Sequence, residues 1–376
     1  MRAVVLGGGV VGEAVARDLT HAEPRAAVTV VDCDARRLDL LATRLGVTTR
    51  LADLRSPEAV HAVTADADVS IGTLPSTLAL PVIAQMARAG RRHVDVSFLA
   101  EDPRVSDDDA RASGAVIVYD CGVAPGLSHV LVGHAVRDIR HELRLTIDVG
   151  GLPADPRPPF FYKAAFAAAD VLEEYTRPAR LVRDGTVIAL PALSEPVVIH
   201  VPGVGPLEAF NTDGLRSLVD TVRADAMVER TLRHPGHLMV MQALAGAGFF
   251  DVRPVQVGDL HVSPRRVTAA LLFPQWQYGP GEHDMTVLRV DVSGRTSEGS
   301  GRHARWLLVD RADAGSPTSS MARTTGCPAA IVARWLAEST FATPGVHPPE
   351  RLGFDGLADA LLAALSARDI TVATTC

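Results

Sequence analysis

Val4-Val-Leu-Gly7-Gly-Gly9-Val-Val-Gly12-Glu-Ala-Val-Ala16 decides the reading of the first third of this chain. An apolar strand runs into G-x-G-x-x-G and then into an amphipathic helix. The glycines let backbone approach a diphosphate, and the N-terminus of the helix stabilises its charge. A second strand, Val28-Thr-Val-Val31, ends in Asp32, about 20 residues beyond the last glycine, where the acid that binds the adenosine ribose belongs. Gly7, Gly9, Val10, Val11, Gly12 and Asp32 are therefore expected to hold a dinucleotide. Asp32 would repel a 2′-phosphate, which favours NAD. Arg36 and Arg37 follow closely and would suit that phosphate instead, so NADP remains an alternative.

The alternation continues outward from this motif. Val69–Gly72, His93–Asp95 and Val116–Tyr119 read as further strands, with a turn at Leu74-Pro-Ser76 and a helix over Val82–Ala89. The pattern predicts a doubly wound parallel sheet, a Rossmann α/β fold. Ligands of such sheets bind beyond the carboxyl ends of the strands, which adds Thr73, Pro75 and Ser76 to the cofactor candidates. Asp120-Cys-Gly-Val-Ala-Pro-Gly126-Leu-Ser-His129 leaves the last strand and puts Asp120 and Cys121 where the nicotinamide should lie. For Cys121 the alternative is a small buried thiol, since no base stands nearby in sequence.

After Gly133 the rhythm changes. Leu143, Leu145, Ile147 and Val149 alternate with polar residues, as in a half-buried strand. Asp184-Gly185 marks a hairpin turn. Strands are expected near Val267–Leu272, Thr286–Val292 and Trp306–Val309, and helices over Ala167–Tyr175, Leu215–Val222 and Leu238–Ala245. This predicts a second, α+β domain with a mostly antiparallel sheet. The expected organisation is 1–125 for the dinucleotide domain, 126–323 for a substrate and dimerisation domain, and 324–376 for a helical segment returning to the first.

Composition narrows the function classes. The formal charge of -7 and the absence of a basic block argue against nucleic acid. No apolar run is long enough for a membrane span. The four cysteines are widely spaced and form no CxxC pair, so neither a disulfide frame nor a metal site is expected. The chain opens directly on a strand pattern, from which no leader and a cytoplasmic location are expected.

The 37 Lys+Arg positions comprise 36 arginines and one lysine, Lys163, in Pro158-Pro-Phe-Phe-Tyr-Lys163. Arginine stays charged, whereas a lysine can lower its pKa and act as base or nucleophile. Retention by chance, or an anion contact tolerant of either cation, is the alternative.

Several stretches together resemble one family. The glycine motif, Asp120–Leu127, Gly150-Gly-Leu-Pro153, Tyr162-Lys163, Glu208–Leu215, Glu229–His237 and Thr324-Thr-Gly326 occur in order along nearly the whole chain. They are similar to the saccharopine dehydrogenase (reductase-type) superfamily, most of all to its lysine 6-dehydrogenase branch. The saccharopine reductases carry Asn-Pro-Leu-Gly before the Tyr-Lys pair, where this chain has Pro158-Pro-Phe-Phe. The resemblance implies NAD(P)-linked oxidative deamination of the terminal amine of lysine, a small amino-acid substrate and a homodimer. Alternatives are an imine reductase making a secondary amine and a non-catalytic NAD-binding protein.

The chemistry so implied needs a base, because the amine must be neutral before hydride leaves. Lys163, between Phe160-Phe161 and Phe166, sits in apolar sequence that would lower its pKa and make it the base or the activator of the hydrolytic water, with Tyr162 as hydrogen-bonding neighbour. Asp120 would pair with the distal ammonium or fix its loop. Arg233 would hold the α-carboxylate, or form an ion pair with Glu229 one helical turn earlier. His237 would contact ligand or cap a helix. Asn211 and Cys121 complete the substrate candidates. Thr212 or Asp213 would cap the helix at Leu215.

Overall fold

The computed structural model describes residues 1–22, 25–164, 168–312 and 315–375. Phe166, Ala167 and Cys376, which enter the sequence reading, lie outside them. Two compact units are present: Met1–His134 with Ala322–Ile370, and Ala135–Met321 with Thr371–Cys376.

The first unit carries a seven-stranded parallel sheet. Its strands are β1 (Arg2–Leu6), β2 (Ala27–Asp32), β3 (Thr48–Leu51), β4 (Val69–Gly72), β5 (Arg92–Asp95), β6 (Val116–Val118) and, from later in the chain, Gly345–His347. The order is Gly345–His347, β6, β5, β4, β1, β2, β3. β1 pairs with both β2 and β4, so the strand order reverses there, and ligands of doubly wound sheets bind at such a switch point.

Local sequence fixes the helices between these strands. The Asp34 side chain accepts from the backbone N–H groups of Arg36 and Arg37 and caps the helix Ala35–Leu45, which Gly46 ends at φ 67°. Ser56 caps the helix Pro57–Thr64, which has proline in its first turn. The expected helix over Val82–Ala89 begins earlier, at Ser76, and contains Pro81. Leu6, Val31, Ile83, Met86, Leu99 and Ile117 are fully buried in the core beside the sheet. Gly326 lets the helix Ser320–Ala337 lie against Ala14 and Val15 of the first helix.

The second unit holds a nine-stranded, mostly antiparallel sheet. Its strands are β7 (His141–Pro153), β8 (Ala179–Arg183), β9 (Thr186–Leu190), β10 (Val197–Val201), β11 (Gly205–Asn211), β12 (Ala226–Arg233), β15 (Asp284–Arg295), β16 (Gly301–Arg311) and Val372–Thr375. A separate hairpin pairs β13 (Val255–Val257) with β14 (Leu260–Val262). The sheet runs β10, β11, β12, β7, β15, β16, Val372–Thr375, with β8 and β9 branching from β12. Only β12–β7 is parallel among these pairs. The alternation read at Leu143–Val149 is the first half of β7.

Three expectations need correction here. Val267–Leu272 lies in a helix, Pro264–Trp276, whose buried residues Thr268, Leu272 and Trp276 recur every four positions. A short apolar run cannot by itself separate strand from helix. The expected helix over Leu215–Val222 shrinks to Leu218–Thr221, and Glu229–Arg233, read as helical, is the strand β12.

Candidate active site

In the first unit the glycine loop is built for a diphosphate. Gly7 has φ 108°, and a Cβ there would meet the Thr73 carbonyl oxygen at 2.8 Å. A Cβ on Gly12 would lie 2.0 Å from the Gly7 carbonyl oxygen, so only glycine lets the helix Val10–His21 start this close to β1. Gly9, by contrast, faces open space, with nothing within 4 Å of a built Cβ. Gly9 precedes that helix with no side-chain cap, and Val10 is 49% exposed. Free N–H groups, a helix N-terminus and open room fit a dinucleotide's phosphates.

The rest of the cradle braces this loop. The Thr73 hydroxyl reaches the carbonyls of Leu6 and Gly7 at 3.1 and 2.9 Å. Asp32 accepts from the Gly8 N–H at 2.6 Å and from the Asp34 N–H at 2.9 Å, which leaves its carboxylate at the end of β2. Arg37 donates to the Gly8 carbonyl at 2.6 Å and to Glu13 at 2.7 Å, so its guanidinium serves the loop. Pro75 and Ser76 open the helix Ser76–Arg88 just beyond β4.

Past β6, Asp120 is buried with φ 51°, and the Cys121 N–H donates to the Asp95 carbonyl at 2.9 Å. Gly126 packs so tightly on Gly122 that a Cβ would lie 2.0 Å from its oxygen. Burial, then the charges of Asp120 and Asp95, push the Cys121 thiol far up. Cys121 is therefore a buried thiol and not a thiolate nucleophile.

The second unit gathers a different set. Tyr162 is buried between the Trp276 ring, 5.2 Å away, and the His237 ring, 4.9 Å away. The Arg233 guanidinium lies 4.5 Å from the centre of the Tyr162 ring. Arg233 also donates to Glu174 at 2.7 Å, to the Leu232 carbonyl at 2.9 Å and to the Tyr175 oxygen at 3.3 Å. Its ion-pair partner is thus Glu174, because on a strand Glu229 is not one turn away. Burial works against the charge of Arg233, but Tyr175, Tyr162 and Glu174 hold it in place.

The tautomer of His237 follows from its partners. Nδ1 lies 2.8 Å from the Phe160 carbonyl, which only accepts, so Nδ1 carries the proton. Nε2 then accepts from the Tyr175 hydroxyl at 2.8 Å. Burial, then Arg233, pulls His237 down to about 3, which keeps the ring neutral. Burial pushes Tyr175 up to about 12. His237 opens the helix His237–Gly246, but its ring is spent on Phe160 and Tyr175 and caps nothing.

Lys163 is not left among apolar neighbours. Its Nζ donates to the Gln277 carbonyl and to Glu282, each at 2.9 Å, and its side chain is 25% exposed. The turn from Gln277 to Glu282 closes over the amine, and Tyr162 is not the residue it bonds. The Gly279 N–H and then Lys163 pull Glu282 below the usual carboxylate range.

The remaining candidates have structural partners. Asn211 donates to Ser194 and Glu195 at 3.2 and 3.0 Å. Asp213 clamps Arg180, and the Thr212 hydroxyl donates to Glu229 at 2.6 Å, so neither caps a helix at Leu215. Tyr175, Glu174 and Glu282 escaped the sequence reading, and Glu229 entered it only as an ion-pair partner for Arg233. Glu174 and Glu282 lie 59 and 119 positions from the cations they pair with, and no local pattern signals such pairs. Among the described residues no group of three or more His, Cys, Asp or Glu could hold a metal ion. No described helix is long and apolar enough to cross a membrane.

A glycine cradle at the switch point of a parallel sheet makes this a dinucleotide-binding protein. Residues 3–118 match the saccharopine dehydrogenase NADP binding domain and residues 122–370 the saccharopine dehydrogenase C-terminal domain. The chain belongs to the saccharopine dehydrogenase family and is an NAD(P)-dependent amino-acid oxidoreductase. Saccharopine dehydrogenase [NADP(+), L-glutamate-forming] of Saccharomyces cerevisiae is 23% identical, over 92% of this chain and 93% of that one. The mitochondrial alpha-aminoadipic semialdehyde synthase of Bos taurus is 22% identical over 93% of this chain, which spans 45% of the bovine protein. The solved apo saccharopine dehydrogenase from Saccharomyces cerevisiae superposes with TM-score 0.81 at 20% identity, covering 100% of this chain and 99% of that one. Homospermidine synthase from Legionella pneumophila, solved with NAD, gives 0.66 at 13% identity, covering 100% and 91%. At these identities the likeness to solved structures is one of fold.

Proposed function

We propose that the protein oxidises the terminal amine of L-lysine, or of a close analogue, to the semialdehyde. The carrying observation is the partly exposed Lys163–Glu282 pair. One fixed cation and one fixed anion complement the carboxylate and ammonium of an amino-acid head group. Two of the three Lys163 donors are used, which suits a binding ammonium and replaces the role of base. The terminal amine itself is favoured by the resemblance of Thr212–Leu215 and His234–His237 to the lysine-deaminating branch.

In this reaction the neutral amine R–CH2–NH2 gives up a hydride and becomes the iminium R–CH=NH2+. Water then adds, and ammonium leaves with the aldehyde R–CHO. The dinucleotide, when bound, supplies the hydride acceptor, and NAD is preferred over NADP. The Asp32 carboxylate disfavours a 2′-phosphate, and Arg37 is committed to Gly8 and Glu13. The test is reduced-cofactor formation by the purified protein with L-lysine, against ornithine, saccharopine and NADP. Lysine- and NAD-dependent turnover is expected. Turnover with saccharopine alone would replace this reading.

A second reading, an enzyme that makes or splits a secondary amine, is supported by the nearly full-length match to the yeast relative. The same assay separates the two. We also propose a homodimer. Met239, Phe249, Val252, Val257, Leu260 and Leu271 are exposed within one stretch of the second unit, a concentration that suits an interface. Light scattering of the pure chain at twice the monomer mass is the expected result.

A further inference from the structure

The turn that holds Lys163 carries a hydroxyl with nothing to bond. Tyr278 is half-buried, yet its hydroxyl oxygen is fully enclosed and has no hydrogen-bond partner among the described residues. It directly follows Gln277, whose carbonyl takes Lys163, and precedes Gly279, whose N–H fixes Glu282 at 2.6 Å. The Ala164 N–H bonds to the Trp276 carbonyl at 2.8 Å, so the two stretches, 162–164 and 276–278, run side by side. The charges the phenol feels are those of Asp284, Arg233 and Glu282. An enclosed polar group without a partner costs stability, and native proteins retain few of them without a reason.

We propose that Tyr278 is a specificity-determining contact whose hydroxyl donates to the α-carboxylate of the amino-acid substrate, beside the remaining N–H of Lys163. This rests on the amino-acid reading above and adds the group that recognises the carboxylate. Two donors, the neutral Tyr278 hydroxyl of the turn and the charged Lys163 that the turn holds, would bind the two carboxylate oxygens. The enclosed hydroxyl is then a binding group held ready at some cost to the empty protein.

The test uses Tyr278→Phe in the full chain, which keeps the ring and removes only the oxygen. Calorimetric titration compares L-lysine and L-saccharopine with 1,5-diaminopentane, which keeps lysine's amines and lacks its carboxylate. The variant should bind the amino acids about ten- to a hundredfold more weakly, the range for a lost hydrogen bond to a charged group. Its affinity for the diamine should not change. Its melting temperature without ligand should be equal to or above that of the unmutated protein. Unchanged amino-acid binding, equal losses on the diamine, no binding of either amino acid by the unmutated protein, or a lowered melting temperature would each overturn the assignment. Reduced-cofactor formation is read separately. Tyrosine-dependent binding without turnover would sink the lysine reaction and keep Tyr278, and turnover indifferent to Tyr278 would do the reverse.

Discussion

Glu229 offers a quantitative test of the second unit. Its carboxyl is enclosed on β12, where Oε2 accepts from the Thr212 hydroxyl at 2.6 Å and the Gly214 N–H at 3.0 Å. No cation pairs with it among the described residues. Burial raises it from 4.5 to about 8; the Thr212 bond opposes this, and the charge of Glu174 adds to it. Between those values the folded protein keeps a proton that the unfolded chain has released. Its contribution is therefore fully present below about 4.5 and is lost as pH rises through about 8. At 1.36 kcal/mol per pH unit, the interval corresponds to about 5 kcal/mol. Glu229→Gln keeps an acceptor for Thr212 and Gly214 and has no charge to lose. Melting temperatures of both proteins at pH 5, 6, 7 and 8 should diverge steadily, with the variant the more stable at pH 8. At roughly 2–4 °C per kcal/mol, the gap there should reach about 10 °C. Parallel curves would refute a proton held at Glu229.

Three further outcomes are expected. Gly12→Ala places a Cβ 2.0 Å from the Gly7 carbonyl, so NADH affinity, read by fluorescence titration, should fall at least about tenfold while the circular dichroism spectrum is kept. Iodoacetamide at pH 8 should label exposed Cys33 in the native protein and leave buried Cys121 unmodified in peptide mapping, and Cys121→Ala should keep its turnover. Tyr175→Phe strips the buried His237 of its donor and Arg233 of an acceptor, so urea unfolding should show a loss of about 1–3 kcal/mol, the opposite sign to Tyr278→Phe.

The first unit was legible because its signals are local. Gly12 is required by the nearby Gly7 carbonyl and Gly7 by its positive φ, and β4 is bounded where Val69–Gly72 is wholly buried. The second unit was legible in β7 and in the Asp184-Gly185 hairpin, where alternation or turn chemistry is local too. It was misread at Pro264–Trp276, where an apolar run fits either element, and at β12, where the expected helical turn placed Glu229 beside Arg233. The candidate site suffered most from long-range pairing. Apolar neighbours in sequence suggested an unpaired Lys163, but Glu282 arrives from 119 positions away. The polar stretch around Arg233 suggested an open clamp, but Glu174 and Tyr175 close on it from another helix and its end.

The central claim is hydride loss from the carbon bearing the terminal amine. The most direct measurement is turnover of L-lysine deuterated at that carbon, with mass analysis of the reduced cofactor. The account predicts one deuterium on the cofactor per turnover and a slower rate than with ordinary lysine. Cofactor reduced without deuterium, or no reduction with lysine at all, would contradict it.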